Sequence, residues 1–388
     1  MVFAFMREYP LEMALSSLAL LVVGLTDVIG VAALVPLFAI IVNNETDSGS
    51  MFSNIVDDSL AWFGIDPTVE SMLLILCGAT ILKSVLNMGA MTQVAYASTK
   101  VGANWRERLL DTHLKASWPH LTMLPAGQLI VAASKESERI TANYNSWAKM
   151  MAEGVKVVVH MALALFVSWH VTAGSIIVGV FSVIAMSGLL GMTRDAGNRL
   201  TATLSDFSAN LVDIMAGMKA IKAMARESQL GDILRRQIES LRQSEIRLSI
   251  LGQVLRSLQE PIMILTLAFG LYVYLNYMGG EFGTILILAL LFARTVQSIN
   301  GLQRSYQNIA AREAAYWFVK GLSDKAFVGR ETFSGAESPS LRKEIRFENV
   351  GFSYGGHVVF KDFNCLIPAG KIVALAGASG GGKTTLTD

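Results

Sequence analysis

Between Val157 and Thr193 the chain runs for 37 residues without an Asp, Glu, Lys or Arg. A membrane span needs about 20 apolar residues, because the hydrocarbon core is about 30 Å thick and a helix rises about 1.5 Å per residue. The run is too long for one crossing, and the Ser168–Gly174 segment is a natural hinge between two. The same test finds Met13–Val42, apolar apart from Asp27 and small polar groups, and Ser71–Ser98, interrupted by Lys83. It also finds the uncharged Pro261–Gly280 and Phe282–Gln303, broken only by Arg294. Six spans are therefore expected, at about 13–42, 71–98, 150–168, 172–193, 261–279 and 282–303. Only 16% of the residues are charged, against about 25% in soluble domains, which argues against a soluble enzyme or a disordered protein. Two cysteines, Cys77 and Cys365, in dissimilar surroundings argue against a disulfide-rich secreted module. The first apolar run is about twice the length of a signal peptide's apolar region. A net charge of +1 gives no general attraction to nucleic acid, so no nucleic-acid partner is expected.

Charge asymmetry orients the spans. Segment 43–70 has six acids and no Lys or Arg, and the 168–174 and 276–283 connections have no basic residue either. Segment 99–149 carries seven Lys/Arg and segment 194–256 carries ten. Basic residues accumulate on the cytoplasmic side, so both termini are expected in the cytoplasm of a multi-pass protein of the plasma (inner) membrane.

The two basic segments are too rich in helix formers to be loops. As a single helix, Ser71–Ala116 would be about 69 Å long, over twice the hydrocarbon thickness. Helices are expected to continue well beyond the bilayer, with short crosswise pieces punctuated by Pro119, Pro125 and Gly127 in the first excursion and by Gly217 in the second.

Beyond a mixed Gly/Ser/Pro and charged stretch at 321–343, expected to be a linker, the pattern turns strand-like. The segments are Glu344–Val350, Val358–Phe360 and Ile372–Ala376. The last runs into Gly377-Ala378-Ser379-Gly380-Gly381-Gly382-Lys383-Thr384, which fits G-x-x-x-x-G-K-[ST]. Glycines let such a loop curl so that backbone N–H groups point at phosphate oxygens. Lys383 would reach the β- and γ-phosphates, and the Thr384 hydroxyl would take a Mg²⁺ position.

With these motifs in hand, the chain resembles the ABC transporters, specifically exporters with six spans fused to a nucleotide-binding domain. The Gly377–Thr385 run matches their phosphate loop, including Ser379 and the doubled Thr384-Thr385. Phe347–Tyr354 looks like their first strand, with Tyr354 where an aromatic ring stacks on adenine. Ile367–Gly370 fits the turn before the last strand, while Gly217–Met224 and Ser117–Gln128 resemble the two cytoplasmic connections. The resemblance implies a mainly α fold. A six-helix transmembrane bundle with long cytoplasmic extensions occupies 1–320, the linker 321–343, and the first β-strands and phosphate loop of an incomplete α/β nucleotide-binding domain 344–388. It implies ATP and Mg²⁺ as ligands, held by Tyr354, Gly377, Ser379, Gly380, Gly381, Gly382, Lys383, Thr384 and Thr385, with Thr384 on the metal. It also implies a second half-transporter as partner, as in a homodimer. The family's glutamine loop, signature sequence, magnesium-binding aspartate with its catalytic glutamate, and switch histidine have no counterpart before Asp388. No catalytic residue is therefore assigned, and these 388 residues alone are not expected to hydrolyse ATP.

Charges at bilayer depth are costly and usually face a cavity or a partner. Asp27, Lys83 and Arg294 count to about 24, 20 and 18 Å from the outer ends, with Glu153 and Lys156 at comparable depth. They read either as a polar belt along a substrate pathway, suited to an anionic headgroup or sugar, or as internal pairs: Glu153 with Lys156, and Asp27 with Lys83 or Arg294. The first helix, with Gly24–Val31 followed by Leu34-Val35-Pro36-Leu37, looks similar to flippases of lipids and lipid-linked oligosaccharides. The expected function is ATP-driven export or flipping of an amphipathic substrate between membrane leaflets. The alternatives are a multidrug or peptide exporter of the same fold, a non-catalytic fragment that pairs with full-length subunits, and a six-span receptor or structural membrane protein with a coincidental phosphate loop.

Overall fold

The computed structural model describes residues 2–43, 68–167, 169–277, 282–331, 340–354 and 357–387. Most of the acidic 43–70 segment lies outside these residues, as does the 278–281 turn. The chain divides into two units, Met1–Glu331 and Thr332–Asp388.

The first unit is helical throughout its described residues. A short α1 (Val2–Glu8) leads into α2 (Pro10–Asn43). Next come α3 (Val69–Leu114), the short α4 (Trp118–Met123) and α5 (Ala126–Val131), and a π-helical turn at Ala132–Glu136. Three further long helices follow α6 (Ser137–Val167): α7 (Trp169–Ala223), α8 (Glu227–Tyr277) and α9 (Phe282–Val328). Each of the six apolar stretches falls on a different long helix; α2 matches its stretch to within a few residues, while α3, α6, α7, α8 and α9 each continue well past one end of theirs. Among the described residues, Leu73–Leu114 meets a length-and-hydropathy test for crossing a membrane, and Pro10–Thr26 is a shorter apolar helix. The 46 residues of α3 correspond to about 69 Å. That helix starts on a reciprocal cap: the Thr68 hydroxyl accepts from the Ser71 N–H, and the Ser71 hydroxyl accepts from the Thr68 N–H, satisfying two donors that a helix start leaves open.

Two local expectations change. Gly217 does not interrupt the second excursion: α7 runs through it to Ala223, and the chain reverses at Ala225, whose φ is 51°. One glycine costs a helix only about 1 kcal/mol, and a side chain at 217 would meet nothing closer than the Ile221 Cδ1 at 3.9 Å. Nothing local forces a break there. The second change concerns 321–343, where α9 continues to Val328 before the chain leaves the helix. Its exit is stitched to the α3–α4 turn, the Ser117 N–H donating to the Gly329 carbonyl at 2.8 Å and the Glu331 N–H to the Lys115 carbonyl at 3.0 Å.

The core of this unit gathers α1, α2, α3, α6 and α9 around aromatic side chains. Phe5, Trp105, Tyr144 and Tyr316 are all essentially inaccessible. Their rings meet edge to face, with centroids 5.3 Å apart for Trp105–Tyr316 and 5.6 Å for Phe5–Tyr316, the arrangement that ring quadrupoles favour. Burial pushes the Tyr316 phenol up to about 12. Beside this cluster the π-helical turn ends on Glu136, which is fully buried and paired with Arg139 at 3.0 Å. Arg139 also donates to the Thr201 hydroxyl at 2.6 Å and to the Ala311 carbonyl at 2.9 Å, so one guanidinium ties α6 to both α7 and α9. Burial, and next the neighbouring Arg139, hold Arg312 below its ordinary value; it donates to Ser146 at 3.2 Å.

The second unit contains an antiparallel hairpin, β1 (Glu344–Tyr354) and β2 (His357–Pro368), and the short α10 (Lys383–Thr387). The ladder is irregular, with register shifts between Phe347 and Ser353. Asn349 and Asp362 adopt left-handed φ values of 48° and 53°, and Asn364 spans the irregularity by bonding both the backbone and the side chain of Asn349. The expected third strand, Ile372–Ala376, joins neither β1 nor β2. An apolar strand of this kind needs partners on both sides and cover on both faces. No described residue supplies them, and Ile372 lies fully exposed.

Candidate functional site

Two places carry chemistry, one in each unit. In the helical unit, α6 and α9 run antiparallel: Arg312 reaches Ser146, and further along, Gly301 meets Glu153. Where their apolar stretches give way to charged extensions, α2, α3, α6, α8 and α9 surround a cavity of about 590 Å³. Its walls carry Lys149, Lys156, Arg256 and Arg304, and one carboxylate, Glu153. On α6 the spacing 149, 153, 156 places three of these charges on one helix face.

The expected Glu153–Lys156 pair forms, at 2.9 Å. Arg304 donates to the Gln259 carbonyl oxygen at 2.9 Å, and Gln259 donates to the Asn300 carbonyl at 3.4 Å. Gln307, also buried, donates to the Leu251 carbonyl at 3.3 Å. Neutral amides thus fix the floor and orient one guanidinium without neutralising it. Among the described residues, Lys149, Arg256 and Arg304 have no carboxylate partner. Four cations around one carboxylate give this open cavity a net positive charge, with Lys149 and Arg256 exposed to solvent.

The other membrane charges lie elsewhere. Lys83 is half-buried on α3 and Arg294 is exposed on α9, and neither lines the cavity. Asp27 belongs to α2, but its side chain lies outside the described residues. Sequence reading had counted Lys149 and Arg256 only as part of the basic cytoplasmic excess. The additional signal is the four-residue spacing of Lys149 and Glu153 on α6, which joins Lys149 to the expected Glu153–Lys156 face.

In the second unit, Gly377–Thr384 forms a curled loop ahead of α10. The Gly381 N–H returns to the Ala378 carbonyl at 3.1 Å, and Gly380 and Gly382 have φ of 82° and 78°. Gly382 is required twice: such φ values disfavour any side chain, and a Cβ there would lie 2.8 Å from the Phe360 ring. Lys383 folds back over the loop, its ammonium donating to the Gly377 and Ala378 carbonyls at 2.9 and 2.6 Å. Phe360 pairs with Phe352 across the hairpin, and Phe352 packs edge-on against Tyr354 with centroids 4.9 Å apart. This chain of contacts brings the Tyr354 end of the hairpin and the glycine loop to the same side of the unit. The open backbone at Gly377 and Gly380, where a Cβ would meet nothing within 4 Å, together with an ammonium poised over the loop, fits a polyphosphate. Lys383 would hold its oxygens and Thr384 its Mg²⁺, and the bound nucleotide would supply phosphoryl-transfer chemistry.

Comparison with known proteins identifies the family. Over 307 residues the chain is 20% identical to the ATP-dependent lipid A-core flippase of Syntrophus aciditrophicus, covering 76% of this chain and 50% of that protein. The protein of the same name from Shewanella denitrificans is 22% identical over 390 residues, covering 96% of this chain and 63% of the relative. The one from Haemophilus influenzae strain 86-028NP is 21% identical over 370 residues, or 90% and 61%. The chain thus spans between half and two thirds of the length of these relatives. Residues 15–299 match the ABC transporter transmembrane region, and with most of its length inside that match the chain belongs to the ABC transporter transmembrane family.

Proposed function

We propose that this chain forms the membrane pathway, and the start of the nucleotide domain, of an ATP-driven exporter that moves an anionic amphiphile between membrane leaflets. The observation that carries the reading is the cavity walled by Lys149, Lys156, Arg256 and Arg304. Lys149 and Arg256 are exposed and Arg304 is half-buried, so the cations stand at the mouth of the apolar helices, where they can meet an anionic headgroup while its acyl chains remain among the exposed apolar side chains of the surrounding helices. In this reading the six long helices each cross the plasma membrane, both termini are cytoplasmic, and two copies enclose one pathway. ATP with Mg²⁺ binds at Gly377–Thr385 with Tyr354 beside the base, and drives the helices between arrangements. Asp27, Lys83 and Arg294 then line more outward parts of the same route. The similarity to proteins named lipid A-core flippases supports a lipid with a charged headgroup over a neutral drug or a peptide.

The test uses the full chain in detergent micelles with short-chain phosphatidate as the probe. Lys149→Gln combined with Arg304→Gln should weaken phosphatidate binding at least tenfold and leave phosphatidylcholine binding unchanged. Equal binding by the double variant would refute a headgroup site. At the second site, binding of a fluorescent ATP analogue should be lost in Lys383→Ala. Orientation is tested by impermeant thiol labelling of intact cells, where a cysteine at Ser50 should react and one at the exposed Ser134 should not.

A further inference from the structure

We infer that Glu153 is a specificity-determining residue of the cavity: its carboxylate is a resident anion that an incoming headgroup must displace from Lys156. The inference rests on the headgroup reading given above. Its starting point is how the carboxylate is seated. A Cβ at Gly301 would lie 2.8 Å from both Cγ and Cδ of Glu153 and 3.0 Å from its Oε2, so glycine on α9 leaves room for this side chain in its present rotamer, and a larger residue would displace its carboxylate. A three-apart Glu–Lys pair can form on any open helix surface and needs no slot in a neighbouring helix. Here the carboxylate is half-buried against Gly301, in the wall of the cavity where α6 and α9 meet.

That position has a chemical consequence. Of the four cations only Lys156 has a carboxylate partner, at 2.9 Å, while among the described residues Lys149, Arg256 and Arg304 line the cavity without one, Arg304 being held by the neutral Gln259. A headgroup bearing a single negative charge can be satisfied by these three and leaves Glu153 in place, where it repels any further charge. A headgroup with two or more negative charges gains the fourth cation only by competing with Glu153 for Lys156. The residue therefore sets how much negative charge the site demands and rewards. Because its seat belongs to α9 and its partner to α6, sliding of one helix past the other would alter that competition.

Removing one carboxylate, or one ammonium, changes the charge seen by a headgroup by a single unit, worth about tenfold in affinity across such a cavity. Three variants of the full chain, assayed with short-chain phosphatidate in detergent micelles, make a ladder. Glu153→Gln should bind phosphatidate about tenfold more tightly than the parent chain, and Lys156→Gln about tenfold more weakly. The double variant, whose cavity charge equals the parent's, should return to within about threefold. Phosphatidylcholine affinity should stay flat across the series. A merely structural role for the pair predicts a different pattern: both single variants bind more weakly and melt at lower temperature. Unchanged or weaker phosphatidate binding by Glu153→Gln, in a chain that melts like the parent, overturns the inference. So does a double variant that binds as poorly as Lys156→Gln, which decides the matter even where Glu153→Gln cannot be purified folded. The Lys149→Gln and Arg304→Gln pair separates the two levels: if it leaves phosphatidate binding intact the cavity reading fails, whereas if it abolishes binding and the ladder is absent, only the role of Glu153 fails.

Discussion

Helices α6 and α9 meet in two chemically opposite ways. Toward the π-helical turn, Ile140, Tyr144 and Ala148 interlock with Ile309, Tyr316 and Val319, all buried, and Glu136, the one buried acid among the described residues, is matched by Arg139. A few turns away the same two helices diverge around Lys149, Glu153 and Lys156 on one side and Gly301 and Arg304 on the other. The sealed end follows the rule for interiors, in which rings fill space and cations are held by buried partners, Arg139 by Glu136 and Arg312 by the Ser146 hydroxyl. The open end breaks that rule with an excess of cations. A helix pair held at one end can keep unmatched charge at the other without collapsing onto it, so stability and ligand chemistry are separable along one interface.

That separation can be broken by substitution. The largest effect is expected from Trp105→Ala, which removes a fully buried ring from the sealed end and should cost about 3–5 kcal/mol in detergent unfolding. Phosphatidate affinity of the folded chain should change less than twofold; a loss as large as that of Lys149→Gln with Arg304→Gln would mean that the two ends are one site. Next, Glu136→Gln leaves Arg139 buried without its carboxylate, and about 3 kcal/mol of stability should be lost, read as a lower melting temperature with lipid binding preserved.

Titration sharpens the same contrast. Burial raises the Tyr316 phenol to about 12 from its ordinary value of 10.0, so the folded chain holds this proton more tightly than the unfolded one. Its contribution is complete below pH 10 and is lost as the pH rises toward about 12. Tyr316→Phe should remove that part of the alkaline destabilisation, and an unchanged alkaline limb would show that the phenol is not sealed. The smallest effect is expected at Glu12, whose carboxyl is held below the ordinary range by its hydrogen bond from Lys100. Its contribution is present at neutral pH and fades only as the pH falls below the usual carboxylate range, so Glu12→Gln should barely move the neutral melting temperature.

Hydropathy made the long helices legible, because the period and length of an apolar stretch are local properties. Contacts are not. Gly217 resembled a break, yet the reversal occurs at Ala225, where turn geometry rather than composition decides. Ile372–Ala376 has the composition of a strand, but a strand exists only through its neighbours, and β1 and β2 pair with each other instead. The same reasoning applies to the charges. Asp27, Lys83 and Arg294 stand out when depth is counted from the outer end, because counting measures distance along one helix. Lys149, Arg256 and Arg304 stood at the margins of the apolar stretches, where a cation attracts no notice, and became a site only once three helices converged. The glycine loop at Gly377–Thr384 lies at the other extreme: its residues are consecutive, so the motif is legible without any tertiary information.

The π-helical turn at Ala132–Glu136 also bears on how this chain tolerates changes in length. Such a turn holds one residue more than the α-helix it interrupts, a surplus that can be given up locally. Deleting Ser134, which is exposed, would convert the turn to regular helix and leave everything after it in phase. Deleting one residue anywhere between Arg139 and Trp147 would rotate the remainder of α6 by about 100°, carrying Lys149, Glu153 and Lys156 together off the face that α9 meets. Relatives that differ by a single residue in this region should therefore have gained or lost it within those five positions.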